Sequence, residues 1–300
     1  MKTIKYILSA VVLLLVFSCS QESAEPIVEG FAPVRVHVSD FTISVNEFSD
    51  TRTRATDPVD PASYNKVKAI TLAFYATDGT EVYKSTQSKS DASTYTTFGD
   101  FTFNLPIGSY TMVAIGYEFN DGDVFALTSS TNAGFTSERV RETFCATQSV
   151  SVTGTSALDL SVTLNRIVTM LIVYSTDALP ADVSKIRTTY TSGSKSFNPT
   201  TGLATDANGF SLTNTATPFE GGPTVGIGNY SFLSTDEMKM DITLEALDAD
   251  GNVLITKVVE KVPLRRNRQT TLRGPLFTPS SSSASFLLET TWITGNIVDF

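Results

Sequence analysis

Apolar and polar residues alternate with a period of two along most of this chain, in short runs closed by Gly, Asn, Asp or Pro. Val34-Arg35-Val36-His37-Val38 alternates, and after Ser39-Asp40 the pattern resumes at Phe41-Thr42-Ile43-Ser44-Val45. Residues 67–75 and 81–86 flank Thr77-Asp78-Gly79-Thr80, and Asp-Gly supplies the positive φ that a hairpin turn needs. Phe101, Phe103 and Leu105 alternate, Pro106-Ile107-Gly108-Ser109 turns the chain, and residues 110–117 run back. Leu158, Leu160, Val162 and Leu164 form one face, opposite Asp159, Ser161, Thr163 and Asn165. Alternation of this kind places one face in a core and the other in water.

The second half has the same grammar. Residues 167–174 are apolar on both faces, as in a central strand, and 185–191 form another strand. Met238, Met240, Ile242, Leu244 and Ala246 keep a period of two, Asp248-Ala249-Asp250-Gly251-Asn252 turns, and strands follow over 253–262, 269–277 and 286–298. One helix is predicted, over 137–145, where Phe135, Val140 and Phe144 share a helical face. Many short strands with such turns predict an all-β protein of β-sandwiches and argue against a parallel α/β sheet. The boundary between two sandwiches, residues 31–164 and 165–300, falls at Leu164-Asn165-Arg166, where one strand ends and the next begins without a linker, so the two pack end to end. Ser280-Ser281-Ser282-Ser283 reads as a flexible spacer before the last strand.

The N-terminus departs from this pattern. Lys2 and Lys5 precede an apolar run over 6–17, shorter than the roughly 20 residues a bilayer-spanning helix needs. That is the anatomy of a secretory signal. It ends in Val16-Phe17-Ser18-Cys19, a lipoprotein cleavage box, so residues 1–18 are expected to be removed between Ser18 and Cys19, with lipid on Cys19. Polar, acidic residues 19–30 read as a tether.

The remaining composition mainly excludes functions. Without the signal, about 280 residues are left, comfortable for two sandwiches. The formal net charge of −9 includes Lys2 and Lys5, so the processed chain is more acidic still, and without a basic tract it is a poor nucleic-acid binder. Cys145 is the only other cysteine, reads as a small buried apolar residue, and has no disulfide partner. The single histidine, His37, lies in an alternating strand, and no nucleophile elbow, zinc-protease or phosphate-loop motif is present. Residues 248–252 resemble the start of a calcium loop, but Val259 stands where the bidentate Glu belongs, so a hairpin turn explains them better. Trp292 lies among residues that look core-facing rather than on a glycan platform. No catalysis, metal or cofactor is expected. Two stretches stand out in so acidic a chain. Arg52 and Arg54 lie in a polar, turn-rich segment expected to be open to proteases. Arg265, Arg266, Arg268 and Arg273 cluster late in the chain, at a solvated hairpin tip or beside acidic loops.

Taken in order, the box at Cys19, the Thr-Arg segment at Arg52 and Arg54, Asn104-Leu105-Pro106-Ile107-Gly108-Ser109-Tyr110, Leu164-Asn165-Arg166-Ile167-Val168 and Val262-Pro263-Leu264-Arg265-Arg266-Asn267 resemble the fimbrillin superfamily of type V pilus subunits and related surface lipoproteins. The resemblance implies two tandem transthyretin-like Greek-key sandwiches on the outer membrane or in a fimbrium, partnered by other pilus subunits in a homo- or heteropolymer. It further implies export as a lipoprotein and cleavage after Arg52 or Arg54, freeing a strand that carries Val34 to Val45 and leaving a groove for a strand of another subunit. The terminal run with Trp292, Ile293, Ile297, Val298 and Phe300 is either such a donor or the last strand of its own sandwich. An uncleaved, permanently lipidated anchor is the other branch. A surface glycan-binding lipoprotein of a polysaccharide-uptake system is the alternative class, with a host protein or glycan as the further partner.

Overall fold

The computed structural model describes residues 30–43, 57–220, 222–278 and 287–290, the last four by backbone only. The strands of the first half are β1 (Phe31–Ile43), β2 (Asp57–Val59), β3 (Ala69–Ala76), β4 (Glu81–Ser88), β5 (Asp100–Pro106), β6 (Gly108–Tyr117), β7 (Phe125–Ser129), β8 (Asn132–Phe135), β9 (Thr143–Val152) and β10 (Leu158–Arg166). Those of the second half are β11 (Thr169–Ser175), β12 (Lys185–Tyr190), β13 (Ser196–Asn198), β14 (Leu203–Ala204), β15 (Phe210–Thr215), β16 (Gly226–Ser231), β17 (Glu237–Leu247), β18 (Val253–Arg265), β19 (Gln269–Gly274) and β20 (Leu287–Thr290). Among the described residues the one helix is a 3-10 segment, Lys89–Thr94. None is long and apolar enough to cross a membrane.

The all-β expectation holds. In the first half β1 lies between β5, its antiparallel partner, and β10, its parallel partner, and this layer faces β4-β3-β6-β9 across a core. The two layers join at a corner, where Asn165 and Arg166 of β10 pair with Cys145 and Phe144 of β9. In the second half β16-β11-β19-β20 packs on β15-β12-β17-β18 over a second core, and β11 again runs parallel to a strand from the end of its own half, β19. Both cores are built from the alternating faces legible in the sequence. On β17, for example, Met240, Ile242, Leu244 and Ala246 are buried.

A third core lies between the halves. Strands β3 and β6 are buried on both faces: Ile70, Leu72 and Phe74 point into the first core, whereas Ala69, Ala73, Tyr75, Val113 and Ile115 point into the third with Ile167, Val168, Phe197 and Phe232. A four-stranded sheet, β14-β13-β8-β7, takes two strands from each half, with Ala133 and Gly134 of β8 opposite Phe197 and Ser196 of β13. Strands from before and after Arg166 therefore share hydrogen bonds in one sheet.

Three local expectations are corrected. Residues 137–142 are not helical, and β9 begins at Thr143. Phe135 and Val140 enter the third core but Phe144 enters the first, so the three never share a helical face. The break at Ser39-Asp40 is a bulge inside one strand: the pairing with β10 steps from Val38↔Val162 to Asp40↔Thr163, and Ser39 Oγ reaches Thr163 Oγ1 at 3.2 Å. The Pro106–Ser109 turn is a corner between layers, not a hairpin, since β5 pairs β1 whereas β6 pairs β3 and β9. Tyr110 holds that corner by donating to the Pro106 carbonyl at 2.8 Å.

Candidate functional site

The first described strand is also one of the most deeply built in. Ala32, Val34, Val36, Val38, Phe41 and Ile43 of β1 are at most 2 % exposed. The bulge absorbs one extra residue: Phe41 lies three positions after Val38 where two would be regular, yet it stays on the core side, opposite Leu164. Both edges of β1 are hydrogen-bonded, to β5 over residues 31–37 and to β10 over 34–42. Its last residues, 41–43, also pair with β2, and Ile43 stands opposite Asp57. The chain thus leaves Ile43 and returns beside it at Asp57.

The widest part of the β1 groove is an aromatic nest around Phe41. Its ring lies 4.9 Å from Phe144 and 6.0 Å, edge to face, from Tyr64. Gly116 forms the floor: a Cβ there would come within 2.8 Å of the Phe41 ring, so only glycine allows this approach. The outward face of β1 is polar and basic, and the rim beside it is acidic. Arg35 is in register with Asp159 of β10, and His37 Nδ1 lies 2.5 Å from Asp100 Oδ1 of β5.

Behind the nest stands a buried charged cluster. Arg166 and Glu142 are both fully buried and pair at 2.6 Å. The Tyr64 hydroxyl bonds both Glu142 oxygens at 3.0 Å and accepts from Arg166 Nη2 at 3.3 Å. Burial first, and then the Glu142 carboxylate, push the Tyr64 phenol far above its ordinary range. Burial likewise raises the Glu118 carboxyl, with the Glu142 charge adding to it. Arg166 stacks over Phe144 at 5.1 Å and donates to Asn267 Oδ1 at 3.3 Å. Asn267 has a left-handed φ of 56° at the β18–β19 corner, and its N–H bonds the Val168 carbonyl. Two sequence motifs a hundred residues apart, around Arg166 and around Asn267, therefore meet at the joint between the halves.

The structure places the other singled-out residues as follows. The processing pair Ser18 and Cys19, the arginines Arg52 and Arg54, and the terminal Trp292, Ile293, Ile297, Val298 and Phe300 lie outside the described residues. Strand β20 is antiparallel to β19 in the second half's own sheet. Arg265 pairs with Glu237 and Arg266 with Asp236, so this part of the late cluster neutralises an acidic turn. Cys145 is buried, donates to the Pro199 carbonyl across the joint, and its thiol is pushed up to about 12 by burial. Asp248 directs both carboxylate oxygens to Asn252, closing a hairpin turn. Neither Tyr64 nor Glu142 was visible as a site residue in the sequence, because each sits in irregular chain and gains its partners only through the tertiary fold.

Residues 33–286 match the model of a family of unknown function, DUF6562. The chain belongs to this family. No curated protein matches it. Among solved structures it resembles the fimbrial anchor protein Mfa2 from Porphyromonas gingivalis, with a TM-score of 0.53 at 12% identity over 87% of this chain and 98% of that one. It also resembles a candidate adhesin from Bacteroides ovatus, with a TM-score of 0.52 at 10% identity over 86% and 96%. This DUF6562 chain accordingly shares the fold of these two structures.

Proposed function

We propose that this protein is a non-catalytic structural and adhesive subunit of a cell-surface fimbria, built of two sandwich domains over residues 31–164 and 165–300. It is exported as a lipoprotein through Cys19 and assembled by strand exchange after cleavage at Arg52 or Arg54. The likeness in fold to a fimbrial anchor and a candidate adhesin supports the class. The observation that carries the mechanism is the placement of β1: hydrogen-bonded on both edges and buried along its whole inward face, it connects to β2 only through residues 44–56, which contain both arginines. A cut there leaves β1 held without covalent attachment to the body that follows.

Cleavage by itself does not open the groove. Each fully buried Val, Ile or Phe side chain contributes about 1.5–3 kcal/mol, so β1 stays in place until another strand supplies equivalent contacts. The groove is therefore kept dry until exchange, and an empty edge is never exposed to aggregation. The test is digestion of the unlipidated protein with an arginine-specific protease. A preferred cut after Arg52 or Arg54, with the N-terminal fragment co-migrating with the body until denaturant is added, is the expected result. Resistance of that segment under conditions that cut elsewhere would remove the exchange mechanism and leave the uncleaved anchor.

One observation favours the glycan-binding alternative. A hollow of about 540 Å3 between β4 and β7 is lined by the hydroxyls of Thr71, Thr86, Tyr117 and Thr128, with Lys84 and Phe125 at its sides. Calorimetric titration with neutral and acidic oligosaccharides, repeated on Thr86→Val, separates the two readings. Heat that disappears in the variant favours glycan binding.

A further inference from the structure

The groove under β1 specifies its occupant closely enough to be compared with the C-terminal run of the chain. Read along β1, the inward positions take a small residue (Ala32) and three β-branched ones (Val34, Val36, Val38). Past the bulge of β1 come an aromatic (Phe41) and an aliphatic (Ile43). The bulge belongs to β1 and not to the groove, because β10 runs on without a gap through Val162, Thr163 and Leu164, so an occupant that alternates regularly meets the same positions. The aromatic position is not free, because Gly116, Tyr64 and Phe144 shape it around a ring. The rim adds a charge requirement. Asp100 and Asp159 stand in register with outward His37 and Arg35, so a basic residue at either place is favoured and an acidic one repelled.

The segment 286–300, Phe-Leu-Leu-Glu-Thr-Thr-Trp-Ile-Thr-Gly-Asn-Ile-Val-Asp-Phe, does not meet these requirements. Whether it keeps the spacing of β1 or alternates regularly, no register in the direction of β1 that spans the groove from Ala32 to Ile43 sets a ring in the aromatic position: the residue there is Thr294, Gly295, Asn296, Ile297 or Val298, and registers starting at Leu287 or Glu289 also bury the Glu289 carboxylate. Reversed, only the register with Trp292 in the aromatic position supplies a ring, and it sets Asn296 at the Val36 position and Phe300 at the small Ala32 position. The segment also contains no Lys, Arg or His to face the acidic rim. Burying an unpaired carboxylate or leaving the aromatic nest empty costs several kcal/mol.

We infer that the strand this groove accepts comes from a different kind of subunit, and that its inward positions carry the β1 pattern: small, three β-branched, aromatic, aliphatic, with a basic residue outward beside Asp100 or Asp159. This rests on the reading that β1 is replaceable after cleavage. The chain is then an acceptor in a heteropolymer, and its 286–300 run does not serve as the donor for a groove of this kind.

The test uses the unlipidated chain cut by an arginine-specific protease, and synthetic peptides. A fluorescent peptide of residues 31–43 is first exchanged into the cut protein and followed by anisotropy. Failure of that exchange overturns the replaceable-strand reading and the inference with it. Given exchange, unlabelled peptides compete. The 31–43 peptide and its Arg35→Lys, His37→Lys form are expected to compete equally. The Arg35→Glu, His37→Glu form and the 286–300 peptide are each expected to be weaker by at least about tenfold. Equal competition by the 286–300 peptide, or growth of the cut protein alone into oligomers with raised concentration, would overturn the heterologous partner while leaving strand exchange intact. A cut protein that stays monomeric alone supports it.

Discussion

At the scale of single residues, the account turns on Phe41 and the groups behind it. Phe41→Ala empties the aromatic nest and is expected to cost about 3–5 kcal/mol, measured by denaturant unfolding, and to speed exchange of a labelled β1 peptide into the cut protein. Gly116→Ala reaches the same ring from the floor, where the new Cβ stands 2.8 Å from Phe41, and overpacking costs about 1–3 kcal/mol. The buried pair behind the nest behaves differently. Glu142→Gln leaves the fully buried Arg166 without its carboxylate and is expected to cost about 3–5 kcal/mol. Replacing Arg166 by Met at the same time restores part of that loss, which a double-mutant cycle reads directly. Such residues were hard to find beforehand. Glu142 and Tyr64 look like solvated loop residues in a sequence, and their burial is decided by β9, β10 and the β18–β19 corner meeting at one point. Cys145, by contrast, was legible, because a lone thiol between apolar and hydroxyl residues has few uses other than packing.

At the scale of elements, the strands were legible wherever one face meets a core and the other meets water, as on β10 and β17. What alternation cannot give is partnership. Nothing local tells β1 to run parallel to a strand more than a hundred residues away, or β5 to pair β1 instead of its neighbour β6. The false helix over 137–145 arose because Phe135, Val140 and Phe144 keep a spacing that fits a helix, while the fold sends them into two cores. The bulge in β1 gives a sharp element-level prediction. Deleting Ser39 removes the extra residue and brings Asp40, Phe41 and Thr42 into unbroken register with Thr163, Leu164 and Asn165, so a 31–43 peptide lacking Ser39 is expected to exchange into the cut protein at least as well as the parent peptide. Near the other end of the chain, Asp177 accepts from the N–H groups of Leu276, Phe277 and Thr278 and from the Thr278 hydroxyl. Burial pushes its carboxyl up, but these hydrogen bonds together outweigh burial and hold it below the ordinary carboxylate value. A depressed carboxylate stabilises the folded state above its unfolded pKa of about 3.9 and loses that contribution as pH falls through the folded value. Asp177→Asn is therefore expected to lower stability by about 1.5–3 kcal/mol at pH 7, with the gap closing below about pH 3.5 in paired thermal scans.

At the scale of the whole molecule, the halves are tied by more than contact. They share the β14-β13-β8-β7 sheet, the third core and the Arg166–Asn267 bond, and Arg139 reaches from the first half to the buried Asn214 side chain and the Thr213 carbonyl. Such a joint predicts one cooperative thermal transition for the intact protein. Gly134→Val should split it, because a Cβ there would lie 2.6 Å from the Lys195 carbonyl and the Ser196 Cα across the shared sheet. The joint also abuts the groove, since Tyr64 touches Phe41 with its ring and the Glu142–Arg166 pair with its hydroxyl. The most direct measurement of the central claim, that β1 becomes an exchangeable strand, is native mass spectrometry of the arginine-protease-cut protein mixed with an isotopically heavy 31–43 peptide. The account predicts a body that begins after Arg52 or Arg54, first in complex with its own β1 fragment and then, over time, with the heavy peptide in its place. A chain that resists cutting in that segment, or a cut body that never takes up the heavy strand, would contradict it.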